Sequence, residues 1–195
     1  MAISIGINGF GRIGRVALRI AISQPDTFKL CGINVRNADL DYMKYMVRYD
    51  STFGRFQGEL DTYEQGLIIN GQKIPVFSES DASLIPWDSC GAEYIIDATG
   101  AYCTTQKAMD HLQGGAKKVI ISAPAKDEET PTFIMGVNHT EYSSDMPVVS
   151  NASCTTNCLA PICKILEDNY GIEYGLMSTI HAATAKQKVV DSRSQ

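Results

Sequence analysis

The chain has 195 residues, 44% hydrophobic and 20% charged, a composition that fits a globular protein with a real core and excludes a disordered tract. A formal net charge of −5 argues against nucleic acid or an anionic membrane surface as the main partner, and no apolar run reaches membrane-spanning length. Six cysteines without clustered spacing, and an apolar start over residues 2–7 that breaks at Asn8-Gly9, predict a reducing cytoplasmic address with no secretory leader and no disulfide framework.

Strand-like and helix-like segments alternate along the chain, which predicts a parallel sheet with helices across its faces. Residues 3–8 read as a first buried strand and 11–22 as a helix. A second strand follows over 30–34. Residues 39–48 carry Leu40, Met43, Met46 and Val47 at helical spacing. The apolar runs 67–69 and 74–77 flank Asn70-Gly71, a strong hairpin signal. Residues 94–98 read as a buried strand, followed by Thr99-Gly100 and by a helix over 104–113 that stops at Gly114-Gly115. The next strand covers 119–122. The charged stretch 126–130 reads as a solvated loop, and a short strand over 147–149 leads into a helix over 154–169. Pro161 lies inside that helix, which therefore either kinks or is shorter.

Gly9, Gly11 and Gly14 form G-x-G-x-x-G between the first strand and the first helix, the setting that a dinucleotide fingerprint requires. The glycines permit a tight turn, close approach to a pyrophosphate and helix–sheet packing, and the helix N-terminus faces the phosphates. A structural glycine turn is the alternative. Residues 1–34 carry Arg12, Arg15, Arg19 and Lys29 against the single acid Asp26, which also suits a phosphate. One part of the fingerprint is missing. No carboxylate closes the second strand, which runs Asn34-Val35-Arg36-Asn37 before Asp39. Losing the acid that bonds a ribose 2′-hydroxyl and repels a 2′-phosphate, with Arg36 nearby, predicts relaxed preference, so that NADP is accepted beside NAD; the alternative is that Arg36 points to solvent and NAD binds through its other contacts.

Cys154 stands at the predicted start of the last helix, flanked by Ser153, Thr155 and Thr156. Unpaired N–H groups and the positive dipole end favour a thiolate there. The alternative is a thiol that only packs, and that reading is preferred for Cys31, Cys90, Cys103 and Cys163. No C-x-x-C pair occurs and none of the three histidines has zinc-finger spacing, so no metal is expected. His111 and His139 show no partner motif and read as surface or structural residues.

The chain resembles the phosphorylating glyceraldehyde-3-phosphate dehydrogenase family. The match is carried by residues 7–15 around the glycine fingerprint, 44–54 (KYMVRYDSTFG), 97–100 (DATG), 119–124 (VIISAP) and 150–161 (SNASCTTNCLAP). Residues 178–184 (STIHAAT), with Gln187-Lys188 after them, are similar to the segment bearing that family's catalytic histidine. The resemblance implies a Rossmann-type dinucleotide-binding domain over residues 1–150 and the beginning of an α+β catalytic domain over 151–195. It also implies a longer protein, since the family continues well past a position like Gln195; the 195-residue piece by itself is expected to be inactive.

The implied activity is the glycolytic oxidation of glyceraldehyde 3-phosphate with inorganic phosphate, in a cytoplasmic homotetramer using NAD. An erythrose 4-phosphate sibling or a non-catalytic nucleotide-binding fragment are the alternatives. Cys154 is then the nucleophile and His181 the base. Ser153, Thr155 and Thr184 hold phosphate, although each hydroxyl taken alone reads as a cap or turn residue. Gly9, Gly11, Arg12, Ile13, Gly14, Asn34, Thr99, Gly100 and Ser122 line the cofactor.

Overall fold

The computed structural model describes residues 1–184, so Gln187 and Lys188 lie outside the described residues. Strand β1 (Ile3–Asn8) leads into α1 (Arg12–Ser23), β2 (Phe28–Asn34) and α2 (Leu40–Arg48). A meander of β3 (Leu60–Tyr63), β4 (Gly66–Ile69) and β5 (Gln72–Phe77) follows. Then come α3 (Trp87–Cys90), β6 (Tyr94–Asp97), two short helices α4 (Thr105–Ala108) and α5 (Asp110–Gln113), β7 (Lys118–Ile121), β8 (Val148–Ser150) and α6 (Cys154–Tyr170). The strands form one sheet in the order β3-β4-β5-β2-β1-β6-β7-β8. It is parallel from β5 to β8, and only the β3-β4-β5 end is antiparallel. Among the described residues no helix is long and apolar enough to cross a membrane.

The sequence dictates the centre of this sheet. Ile5 and Ile7 of β1, Leu30 and Ile33 of β2 and Ile95 of β6 are buried, as strands covered on both faces require. Helix α1 sets Gly14, Leu18 and Ala21 against the sheet at intervals of three and four residues. Full burial of a side chain such as Leu18 or Ile33 contributes about 1.5–3 kcal/mol each. Asp39 caps α2 by accepting from Tyr42 N–H at 3.0 Å, so this first carboxylate after β2 has a local task. The hairpin forms at Asn70-Gly71, with φ of 50° and 79°, the two left-handed positions that a two-residue turn between twisted strands requires.

Several expectations change. The single helix over 104–113 is two short helices stepped at Met109, where Leu112 N–H bonds the Met109 carbonyl three residues back. Strand β3 and helix α3 were not legible, because β3 buries one residue, Leu60, and α3 is a single turn. Residues 126–130 are not simply a solvated loop. Thr130 is buried, and the Asp127 carboxylate accepts from Thr105 N–H at 2.7 Å and from the Thr130 hydroxyl at 2.5 Å. Helix α6 runs through Pro161 without ending.

Candidate active site

Strand β1 has β2 on one side and β6 on the other, so the chain leaves these strands toward opposite flanks and opens a crevice beyond their C-terminal ends. A cleft of about 790 Å³ occupies that place. Its walls come from Asn8 to Gly11, Asn34 to Asn37, Ser78 to Ser80 and the segment around Ala98 and Thr99.

The three glycines have separate physical reasons. Gly9 has φ of +99°, and a Cβ on it would sit 2.9 Å from the Ala98 carbonyl carbon. A Cβ on Gly14 would lie 2.0 Å from the Gly9 oxygen, so α1 can approach the turn this closely only without a side chain there. A Cβ on Gly11 would meet nothing within 4 Å. That open space lies at the α1 N-terminus, which has no side-chain cap and no acid in its first turn. Donors left unpaired by helix geometry, bordering an empty cradle, fit a pyrophosphate.

Of the residues expected along a cofactor, Gly9, Gly11, Asn34 and Thr99 line this cleft, whereas Arg12, Ile13, Gly14, Gly100 and Ser122 do not. Arg12 turns away. Its guanidinium bonds Asp50 at 2.5 Å and lies over the Phe53 ring; burial pushes the Asp50 pKa up, but the Phe53 and Thr52 N–H groups and then Arg12 outweigh it, and the pKa is lowered. Ser122 sits at the end of β7 with its N–H on the Asp97 carbonyl.

A buried polar chain underlies the cleft. The Trp87 indole N–H donates to His111 Nδ1 at 3.1 Å. An indole can only donate, so the ring proton of His111 is on Nε2, directed at Asp97 Oδ2 at 3.1 Å. Asp97 Oδ2 also accepts from Asn8 Nδ2 at 2.8 Å, and Oδ1 accepts from the Thr99 hydroxyl at 2.7 Å. Asn8 Oδ1 accepts in turn from Asn34 Nδ2, whose amide also bonds both backbone groups of Glu79. This chain ties together the ends of β1, β2 and β6. Of the surface and structural readings of His111 only the structural one holds, since the residue is fully buried. His139 is exposed.

The second site is at the α6 N-terminus. Ala152 is buried at φ of 57°, rare for a residue with a side chain, and makes the sharp turn from β8 into α6. Ser150 braces the turn, donating to the Ala123 carbonyl at 2.7 Å and accepting from Ala152 N–H at 3.0 Å. Asn157 clamps it from the helix side through the Asn151 and Ser153 carbonyls. Ser153 is the N-cap, its Oγ accepting from Thr156 N–H at 3.0 Å. Neither Ser150 nor Asn157 was a sequence candidate; both lie in the stretch 150–161 that carries the family resemblance, but neither residue type by itself announces a brace on the turn.

Cys154 is the first residue of α6. The extended segment after α6 returns His181 to it, with Nε2 at 3.1 Å from Sγ. His181 Nδ1 is 2.7 Å from the Ala182 carbonyl, which fixes a proton on Nδ1 and aims Nε2 at the sulfur. The His181 imidazole lowers the Cys154 pKa first by this hydrogen bond, and the Thr155 N–H and hydroxyl add to it. The His181 pKa is raised in turn by the Cys154 sulfur and then by the Ala182 carbonyl. Cys154, Thr155, Cys158 and His181 share a cleft of about 380 Å³, and the imidazole bonds Cys154 rather than Cys158. Thr184 is exposed near the end of the described chain. Among the described residues no group of three or more His, Cys, Asp or Glu is placed to hold a metal ion.

Two family models match the chain. Glyceraldehyde 3-phosphate dehydrogenase, NAD binding domain, covers residues 3–105, and the C-terminal domain of the same family covers 153–195. The glyceraldehyde-3-phosphate dehydrogenase of Aspergillus oryzae is 55% identical over 190 residues, 97% of this chain and 55% of that protein. That of Aspergillus niger is 53% identical over 194 residues, 100% of this chain and 57% of that protein. The cytosolic enzyme of Gracilaria gracilis is 52% identical over 98% of this chain and 56% of its own length. The chain thus spans little more than half the length of these relatives.

Proposed function

The chain belongs to the glyceraldehyde 3-phosphate dehydrogenase family, and from that premise we propose that its protein oxidises glyceraldehyde 3-phosphate with inorganic phosphate to 1,3-bisphosphoglycerate. The observation that carries this reading is the contact of Cys154 Sγ with His181 Nε2, 3.1 Å, at the N-terminus of α6. A thiol alone would be weak evidence. A thiol at a helix start, with an imidazole aimed at it and a dinucleotide-shaped cleft in the same chain, is what a covalent aldehyde oxidation requires.

In this mechanism the Cys154 thiolate attacks the aldehyde carbon and forms a thiohemiacetal. The Cys154 backbone N–H, unpaired at the first helical position, donates to the developing oxyanion. His181 Nε2, protonated in its pair with the thiolate, gives that proton to the oxyanion and takes it back as the carbonyl re-forms, and Nδ1–H on the Ala182 carbonyl holds the ring in register. A bound nicotinamide dinucleotide supplies the acceptor for the hydride that converts the thiohemiacetal to a thioester. Gly9, Gly11, Asn34 and Thr99, with the N–H groups at the start of α1, would hold that cofactor. Inorganic phosphate then cleaves the thioester and frees the Cys154 thiolate. Thr155 and Thr184 are assigned to binding the phosphates. Ser153 joins them only by donating its hydroxyl hydrogen, because a lone pair of the same oxygen caps α6.

We further place the domain boundary near residue 150, where β8 ends the sheet, and take the full-length protein to be a cytoplasmic homotetramer. The relatives named above are glyceraldehyde enzymes, which gives the erythrose 4-phosphate and non-catalytic readings no support. The test is steady-state turnover of the complete natural protein with each aldehyde, phosphate and NAD. Glyceraldehyde 3-phosphate should be preferred. A preference for erythrose 4-phosphate, or no oxidation of either aldehyde by the complete protein, would overturn the proposal.

A further inference from the structure

Dinucleotide sites of this topology read the adenosine 2′ position at the end of the second strand. An acid there bonds the hydroxyl of NAD and repels the phosphate of NADP, and an arginine favours the phosphate. In the segment that follows β2, each position that would carry the acid lacks it or has it occupied. Asn34 ends β2 with its amide on Asn8 and Glu79. Val35 lines the cleft, half-buried against the core around β1, with no polar atom on its side chain. Asp39 caps α2.

Arg36 lines the same cleft and is exposed, and among the described residues no ion pair or hydrogen bond holds its guanidinium. The chain turns beside it through Asn37 at φ of 56°, and Ala38 N–H donates to Ser78 Oγ at 3.4 Å, which brings a hydroxyl to the same turn. The one acid among the cleft residues is Glu79, on the neighbouring segment after β5, whose backbone bonds the Asn34 amide.

We propose that this cleft accepts a 2′-phosphorylated nicotinamide dinucleotide as well as the unphosphorylated one, with Arg36 as the residue that determines specificity. The inference rests on the dinucleotide reading of the cleft and adds the class of cofactor to it. Arg36 supplies a planar, permanently charged donor that a 2′-phosphate can accept from and a 2′-hydroxyl hardly uses.

Calorimetric titration of the complete natural protein with NAD and with NADP tests it without relying on turnover. Both should bind. Arg36→Gln should weaken NADP about tenfold or more, the scale of one charge-assisted hydrogen bond, and leave NAD within about twofold. Val35→Asp should weaken NADP by at least as much and tighten NAD. NAD binding with no NADP binding in the unaltered protein overturns the proposal, as does an Arg36→Gln variant that weakens both alike. If Glu79→Gln weakens NAD and tightens NADP, Glu79 is the missing acid and the proposal also fails. If neither nucleotide binds, the dinucleotide reading falls with it.

Discussion

Replacing His111 by phenylalanine tests the buried chain beneath the nucleotide cleft. The phenyl ring keeps the aromatic volume between Trp87 and Tyr102, whose rings lie 6.0 and 5.3 Å from that of His111, so packing changes cost little. Two hydrogen bonds vanish. The Trp87 indole N–H is left without an acceptor in a site with no exposure, a penalty of about 1–3 kcal/mol. Asp97 Oδ2 loses one of its two donors, and a bond to a charged group contributes about 1.5–3 kcal/mol. The sum is about 2.5–6 kcal/mol, against a total stability for a domain of roughly 5–15 kcal/mol. With a urea dependence of about 2 kcal/mol per molar, the unfolding midpoint of the complete protein should fall by about 1.3–3 M.

The controls follow from which bond each variant removes. His111→Gln can still donate to Asp97 and should recover roughly half of the loss. Trp87→Phe should cost less in the His111→Phe background than in the unaltered protein, because the bond it breaks is already gone. Urea unfolding followed by circular dichroism measures all of these. A loss under about 1 kcal/mol for His111→Phe, or strict additivity with Trp87→Phe, would show that the chain of bonds does not hold the strand ends together.

Three further outcomes are expected. Cys154→Ser should abolish aldehyde oxidation without moving the unfolding midpoint, while His181→Asn should raise the Cys154 pKa and shift iodoacetamide alkylation to higher pH. The lowered Cys154 pKa and raised His181 pKa bound an ion-pair window that protonation of the thiolate closes on the acid side and loss of the imidazolium proton on the alkaline side; faster alkylation of Cys158 near neutral pH would refute the assignment. Gly14→Ala should destabilise the fold, because its Cβ would lie 2.0 Å from the Gly9 oxygen, whereas Gly11→Ala should fold normally and weaken NAD binding about tenfold or more by filling the phosphate cradle; calorimetry and thermal melting separate the two. Ser153→Ala removes the cap on Thr156 N–H and should cost about 1 kcal/mol in urea unfolding.

What could be read from the sequence was what neighbouring residues encode together. Strand β1, the glycine turn and α1 follow one another within a short stretch, and Asn70-Gly71 announces its hairpin by residue type alone. The α6 start was legible for the same reason: a serine cap, a thiol and two threonines are consecutive. The features that escaped depend on partners far apart in the chain. His111 meets Asp97 and Trp87 across separations of 14 and 24 residues, and Arg12 meets Asp50 across 38, so no local pattern could announce either contact. Ala152 escaped for a different reason. Alanine carries no preference for positive φ, and the turn exists because Ser150 and Asn157 fasten the backbone on both sides. The nucleophile thus owes its place at a helix start to adjacent residues, its activation first to His181, 27 residues on, and its direction to the turn at Ala152. Substituting Ser150 or Asn157 should therefore re-aim Cys154 even though neither side chain touches the sulfur.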